Sequence, residues 1–352
     1  MARFRTRSSS ITVTRRGLLR YGAGAMAALA GTSVFAQPAP SSKLNCIFIN
    51  LVGGPSHLDT WDPKPQAPSE YRGPFKAIGT NVAGIQISEL FPKMATMMDQ
   101  LTLIRSVYHD AAPIHETGHQ LVQQGCLLPA GAIKAHPMAN RHGILLPGAI
   151  ENTGVQLSHG QEGLRTLSHS LRSNDEAYGN HEFGQSCLLA RQAIEAGERF
   201  VAINMFRTVY DSLSWDCHAD GYSLNVNLND YRDKLAPMFD ATFTTLIRDL
   251  KDRGLLDSTL IIATGEFGRS PKINLRGGRD HWTGAWTALM AGGGLRGGQV
   301  IGSTDRLGME PSSRPVHASA IANTMLYAMG MRPKVVHQHG EPLVELFSNT
   351  RV

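Results

Sequence analysis

The stretch that most limits what this chain can become is Thr259-Leu-Ile-Ile-Ala-Thr264, six β-branched or apolar residues with no polar break. Such a run reads as a strand buried on both faces, which belongs to a sheet covered on both sides. It stops at Gly265-Glu-Phe-Gly-Arg269, and a second turn, Gly277-Gly-Arg-Asp-His-Trp282, leads into another apolar run, Trp286 to Met290. In open α/β sheets ligands bind beyond the carboxyl ends of the strands, so the cleft is expected at these two turns.

Other segments repeat the pattern. Leu44 to Leu51 reads as a strand running into Gly53-Gly-Pro-Ser-His-Leu-Asp-Thr-Trp-Asp-Pro-Lys64, which would carry His57, Asp59 and Asp62 to a second wall of the cleft. Leu101 to Val107 delivers His109, Asp110, His115 and His119, and Phe200 to Phe206 leads to Ser214-Trp-Asp-Cys-His218. Between them come a short helix near Glu89 to Met98, a helix from Phe183 to Ala196 stopped by Gly197, and a closing helix from Val316 to Met329. The clearest helix carries Leu235, Phe239, Phe243, Leu246 and Leu250 on one face, with Pro237 in its first turns and Gly254 at its end. Residues 65–87 read as loop, and residues 125–180 show no confident element. Strand–helix alternation with polar residues at strand ends indicates one α/β domain over residues 44–352, a mostly parallel central sheet flanked by helices.

Charge separates the amino terminus from the rest. The formal charge is +5, yet the first 36 residues hold six arginines and no acid, which leaves the remainder at −1. Nothing in that remainder argues for nucleic acid or an anionic membrane surface. Thr14-Arg-Arg-Gly-Leu-Leu-Arg20 is a twin-arginine signature followed by a weakly apolar segment, Tyr21 to Phe35, and small residues at Val34-Phe-Ala36. Residues 1–36 are therefore expected to be a cleaved signal peptide and 37–43 a Pro/Ser linker. The apolar segment is too short and too rich in Gly and Ala for a stable membrane anchor. The partner this implies is the twin-arginine export machinery, and the location periplasmic or otherwise exported. Cys46, Cys126, Cys187 and Cys217 form no C-x-x-C pair and read as small buried hydrophobes.

The segments Gly53 to Lys64, Phe183-Gly-Gln-Ser-Cys-Leu-Leu-Ala-Arg191, Ser214 to His218 and Gly265 to Trp282 together resemble the twin-arginine-exported family known as domain of unknown function 1501. That family is in turn similar to a remote branch of the alkaline phosphatase and sulfatase superfamily. The resemblance implies an alkaline-phosphatase-like domain and hydrolysis of a small or polymeric anionic ester, a sulfate or a phosphate. It sets Asp216, His218 and His281 at metal-ligand positions, with Glu266 where the superfamily has an aspartate and Phe267 where it has a ligand histidine. The aspartate expected at the end of the first strand is missing from Asn50-Leu-Val-Gly-Gly54. Counting back from Gly125 puts His115 at the nucleophile position, with Thr117 two residues on.

Two imidazoles and a carboxylate leave an open fourth position, the donor set of a catalytic zinc, so one divalent metal is the expected cofactor. The same three side chains also read as a hydrogen-bonded polar cluster. Glu266 and Arg269 suit a general base and an anion clamp, or an ion pair holding the turn. His115 and Thr117 are the candidate nucleophile or acid–base groups, and His57, Asp59, His119 and Arg279 the candidate substrate contacts. Two further readings stand beside the hydrolase. One is a binding protein that keeps the fold without turnover. The other is a zinc protease built on His115-Glu116-x-x-His119, whose two histidines would share a helix face.

Overall fold

The computed structural model describes residues 44–115, 118, 143–145, 176–331 and 340–347. The leader, the linker, Glu116, Thr117, His119 and Cys126 lie outside the described residues.

The strands, in chain order, are β1 (Asn45–Asn50), β2 (Ala77–Gly79), β3 (Gln86–Ser88), β4 (Leu101–Tyr108), β5 (Gly143–Leu145), β6 (Phe200–Asn204) and β7 (Thr259–Thr264). They continue with β8 (Gly268–Arg269), β9 (His281–Trp282), β10 (Trp286–Gly292), β11 (Gln299–Ile301), β12 (Ser303–Thr304), β13 (Pro311–Ser313) and β14 (Val316–His317). The main sheet has the order β11-β4-β10-β7-β1-β6-β5, with β14 also paired to β4. All its neighbours are parallel except β10, which runs against both β4 and β7. The sheet is thus mostly parallel, as the sequence indicates.

Both faces of the sheet are covered, and the alternation along the strands shows how. Ile47 and Ile49 of β1 and Ile261 and Ala263 of β7 enter one apolar cluster; Cys46, Phe48, Leu260 and Ile262 enter the other. The first face is packed by α1 (Glu182–Glu195) and α2 (Ala236–Asp252), the second by α3 (Ala318–Ala328). Leu235 leads into α2 and Phe239, Phe243, Leu246 and Leu250 lie along it, all fully buried. Phe239 stacks on Phe183 and Phe243, so truncating Phe243 would remove about 3–5 kcal/mol of core stability. Pro237 stands at the start of α2, directly after a π-helical turn, Tyr231–Leu235.

Three local expectations are corrected. The helix near Glu89 to Met98 is only a four-residue turn, Pro92–Ala95, followed by a 3-10 turn at Met98–Gln100. Val316 and His317 are not helical: they pair with Val107 and Tyr108 of β4, and His317 caps α3 by accepting from the Ser319 N–H. The loop-like 65–87 segment contains the helical turn Ser69–Arg72 and β2, which pairs with β3. Each is short and depends on contacts outside its own sequence. Cys46, Cys187 and Cys217 are buried free thiols. No helix of the described residues is long and apolar enough to cross a membrane.

Candidate metal centre

The carboxyl ends of β1, β4, β6 and β7 open onto one edge of the sheet, and the backbone continues their pairing there. Leu51 N–H donates to Thr264 O at 2.9 Å, Met205 N–H to Asn50 O at 3.0 Å and Trp215 N–H to Val52 O at 3.0 Å. The turn after β1 has to be glycine. Gly53 has φ +103°, and a Cβ on it would lie 2.4 Å from the Asp216 nitrogen. At Gly54, φ +70°, a Cβ would lie 2.4 Å from the Phe267 oxygen. Only bare backbone lets these three segments approach so closely. The approach sets Asp216, Glu266 and Arg269 side by side.

Asp216 is fully buried and is the hub. Its Oδ2 lies 2.9 Å from His115 Nε2 and 3.0 Å from His281 Nε2. Its Oδ1 accepts from Arg269 Nη1 at 2.7 Å and also faces His218 Nδ1. The outer nitrogens of two imidazoles decide their tautomers. His281 Nδ1 is 2.8 Å from the Pro113 carbonyl, which only accepts, so Nδ1 carries the proton and Nε2 is left as a lone pair. His115 Nδ1 is 2.5 Å from Glu266 Oε1, and Glu266 is itself held by the Gly53 N–H at 2.9 Å. With Nδ1 of each ring donating outward, two lone pairs and a carboxylate oxygen converge on one point. Acceptors facing acceptors at such distances require a cation or an extra proton between them.

Electrostatics agrees. Burial works against the charge on Asp216, but the Arg269 charge, with the imidazoles of His115, His218 and His281 gathered around the carboxylate, outweighs it and holds the carboxyl well below the usual range. Burial likewise opposes a charged His115, yet its hydrogen bonds to Asp216 and Glu266 raise it to about 9, so a proton fills the gap in the cation-free protein. Burial lowers His281 despite Asp216. His115, Asp216 and His281 each offer one ligand atom, all within 4.8 Å of one another, and this donor set could hold a metal ion. Phe267 forms an apolar floor, its ring centroid 4.4 Å from that of His281 and 5.0 Å from that of His115. A low-polarity floor strengthens every charge interaction above it.

The sequence-predicted residues divide into three groups. Asp216, His218 and His281 do meet, with the His218 and His281 rings at 4.5 Å. His218, however, lies on the Oδ1 side of the carboxylate, where Arg269 Nη1 approaches its Nδ1 at 3.0 Å, and it is His115 that joins His281 on Oδ2. Glu266 is in the site, paired with His115 and not with Arg269. Arg269 binds Asp216, the Gly54 carbonyl at 3.0 Å and the Gly53 carbonyl; fully buried, it clamps the turn and the hub carboxylate.

The expected substrate contacts need correction. Arg279 is fully buried, and its fork meets Asp59 through Nε (2.6 Å) and Nη2 (3.3 Å). Its other N–H groups reach the carbonyls of Tyr71 (2.8 Å), Ser270 (3.1 Å) and Pro271. No donor is left to hold an anion. Asp59 is equally committed, taking Ser56 Oγ at 2.5 Å as well. His57 is fully buried, with Nε2 on the Gly308 carbonyl at 2.8 Å, and burial lowers it to about 4. Neither Asp59 nor His57 is exposed to a ligand. Thr117 and His119 lie outside the described residues, as does Glu116 of the protease motif.

The chain belongs to the family described as protein of unknown function DUF1501, whose pattern matches residues 43–139 and 150–351. Among curated proteins none matches by sequence. Solved structures similar to it include a phosphonate monoester hydrolase from Silicibacter pomeroyi, 12% identical, covering 87% of this chain and 77% of that one, TM-score 0.43. Another is the PsFucS1 sulfatase from Pseudoalteromonas sp., 16% identical, covering 91% and 72%, TM-score 0.43. A third is a protein of the alkaline phosphatase superfamily from Vibrio parahaemolyticus, 11% identical, covering 84% and 68%, TM-score 0.43.

Proposed function

We propose that this protein is an exported, metal-assisted hydrolase of an anionic ester, a sulfate or a phosphate. The observation that carries the reading is the pair of outward hydrogen bonds, His281 Nδ1 to Pro113 O and His115 Nδ1 to Glu266, which aim both Nε2 atoms at Asp216 Oδ2. A proton on His115 closes this set by itself, and a bound metal would take that proton's place, with the outer partners already fixing each ring. A bound divalent metal would supply Lewis-acid polarisation of an ester oxygen.

The chain's own groups would take the following parts. His115, Asp216 and His281 hold the metal. Glu266 fixes the His115 tautomer, and Arg269 keeps Asp216 ionised and in place. Both nitrogens of His115 are engaged, which makes it a ligand and not an attacking group. His218 keeps its Nε2 toward the mouth, 4.0 Å from exposed Asp280, and is the group within the site best placed to exchange a proton with a substrate.

Elemental analysis of protein purified without chelator tests the reading. About one divalent metal per chain, lost in His281→Ala together with turnover of aryl sulfate or aryl phosphate, is the expected result. A metal-free protein that turns over neither ester would overturn it and leave a binding protein on a hydrolase-like fold.

A further inference from the structure

Beside the metal centre runs an open groove of about 1320 Å³ that neither the ligand set nor the core accounts for. It begins one residue beyond His218, at Ala219, and its wall includes Arg276 and Gly277. That wall is tied to the site: Asn274 Nδ2 donates to the His218 carbonyl at 3.0 Å and Arg276 Nη1 to the Asp220 carbonyl at 2.6 Å. The volume exceeds the few hundred to about 1,000 Å³ of a usual small-molecule pocket and leaves room for an extended occupant.

The lining is chemically one-sided. Arg72, Lys76 and Arg276 are all exposed there, and among the described residues no carboxylate lines the groove. This stands out in a chain that is slightly acidic once its leader is set aside. Between the cations lie carboxamides, among them Gln66, Gln86, Asn225 and Asn229, and a half-buried aromatic face, Phe75. Carboxamides both donate and accept, which suits hydroxyl groups; an aromatic face suits the C–H side of a sugar ring; cations suit sulfate or carboxylate substituents. Nucleic acid would ask for a denser basic track and more stacking platforms than three cations and one phenylalanine provide.

We infer that this groove binds the chain of a polyanionic oligosaccharide and so leads its ester groups to the metal centre. The assignment of the groove stands on its lining alone; delivery of an ester to a metal rests on the function proposed above.

The experiment is a binding titration of the full chain with dextran sulfate oligosaccharides, neutral dextran of the same length and a single-stranded oligonucleotide, at several salt concentrations. Expected are binding of the sulfated chain that weakens with salt, and no binding of neutral dextran. The Arg72→Gln, Lys76→Gln double variant, which touches no backbone-holding contact, should lose about two- to five-fold in affinity per cation removed. Adding Arg276→Gln should lower it further, with melting temperature and metal content as checks of folding. Asp216→Asn should abolish metal binding yet keep the affinity for dextran sulfate, which separates failure of the groove from failure of the proposed hydrolase. Unchanged affinity in the triple variant, or tighter binding of the oligonucleotide than of the sulfated chain, would overturn the inference.

Discussion

Two buried aspartates sit close to the same sheet edge, each paired with a buried arginine, and they are opposites. Around Asp59 the count of donors and acceptors closes: the Arg279 fork meets one carboxylate and three carbonyls, and Ser56 completes the set. Around Asp216 the count does not close without help, because His115 and His281 bring lone pairs to an oxygen that has its own. A closed set is a pin that holds two loops together. An open set of acceptors calls for a cation or a proton between them. Burial and residue type are shared; what differs is where the outer hydrogen bonds point.

The largest expected effect comes from breaking the pin. Arg279→Ala would leave Asp59 buried and unpaired, and removing one partner of a buried pair costs about 3–5 kcal/mol. Denaturant unfolding of this variant, refolded and saturated with metal, should show that loss. A drop below about 1 kcal/mol would mean that Asp59 reaches water and the closed set is not closed.

Next in size is a pH effect from the same region. His57 is fully buried and held neutral, its pKa lowered to about 4. Its contribution to stability is complete above about pH 6.5, the unfolded value, and declines as pH falls toward 4, because the unfolded chain takes up the proton first. A shift of this size amounts to about 3 kcal/mol. Unfolding free energies measured between pH 7 and 4 should carry this slope, and His57→Gln should flatten it. An equal slope in both proteins would place the acid sensitivity elsewhere.

How much of this contrast could be read from sequence follows from what each feature depends on. Thr259–Thr264 was legible as a two-sided strand because its signal is local and unbroken, and α2 because Leu235 to Leu250 repeat on one face. The meeting of Asp216, His218 and His281 is what the resemblance to the phosphatase and sulfatase superfamily implies. The fate of Arg279 was not, because the partner that buries it, Asp59, is 220 residues away. The sequence marks His115 as a nucleophile or acid–base group, or as a ligand in the protease motif; that its Nδ1 faces Glu266, 151 residues on, is a fact of packing. Val316 and His317 form a strand only because β4 offers them an edge.

The third test turns to the open set. Glu266→Gln keeps the shape of the side chain and an acceptor for Gly53 N–H and His115 Nδ1, while removing the charge that makes the His115 ring more basic. Outer partners of metal ligands are worth about 10–100-fold in affinity. Competition with a chromophoric chelator should show a loss of that size. Unaltered affinity would reduce Glu266 to a support for the turn.

The smallest effect should come from Asp280, and its smallness is informative. It is another carboxylate near a site histidine, with Oδ1 4.0 Å from His218 Nε2, but its side chain is 60% exposed. Water screens such a pair, so it is worth at most about 1 kcal/mol and commonly less. Asp280→Asn preserves an acceptor for Asn274 and should shift stability and metal affinity by less than about threefold. Proximity alone would rank Asp280 with Glu266; direction and burial rank it far below. If the two variants weakened metal binding equally, distance to the site, and not the fixing of a ring tautomer, would be what separates Asp216 from Asp59.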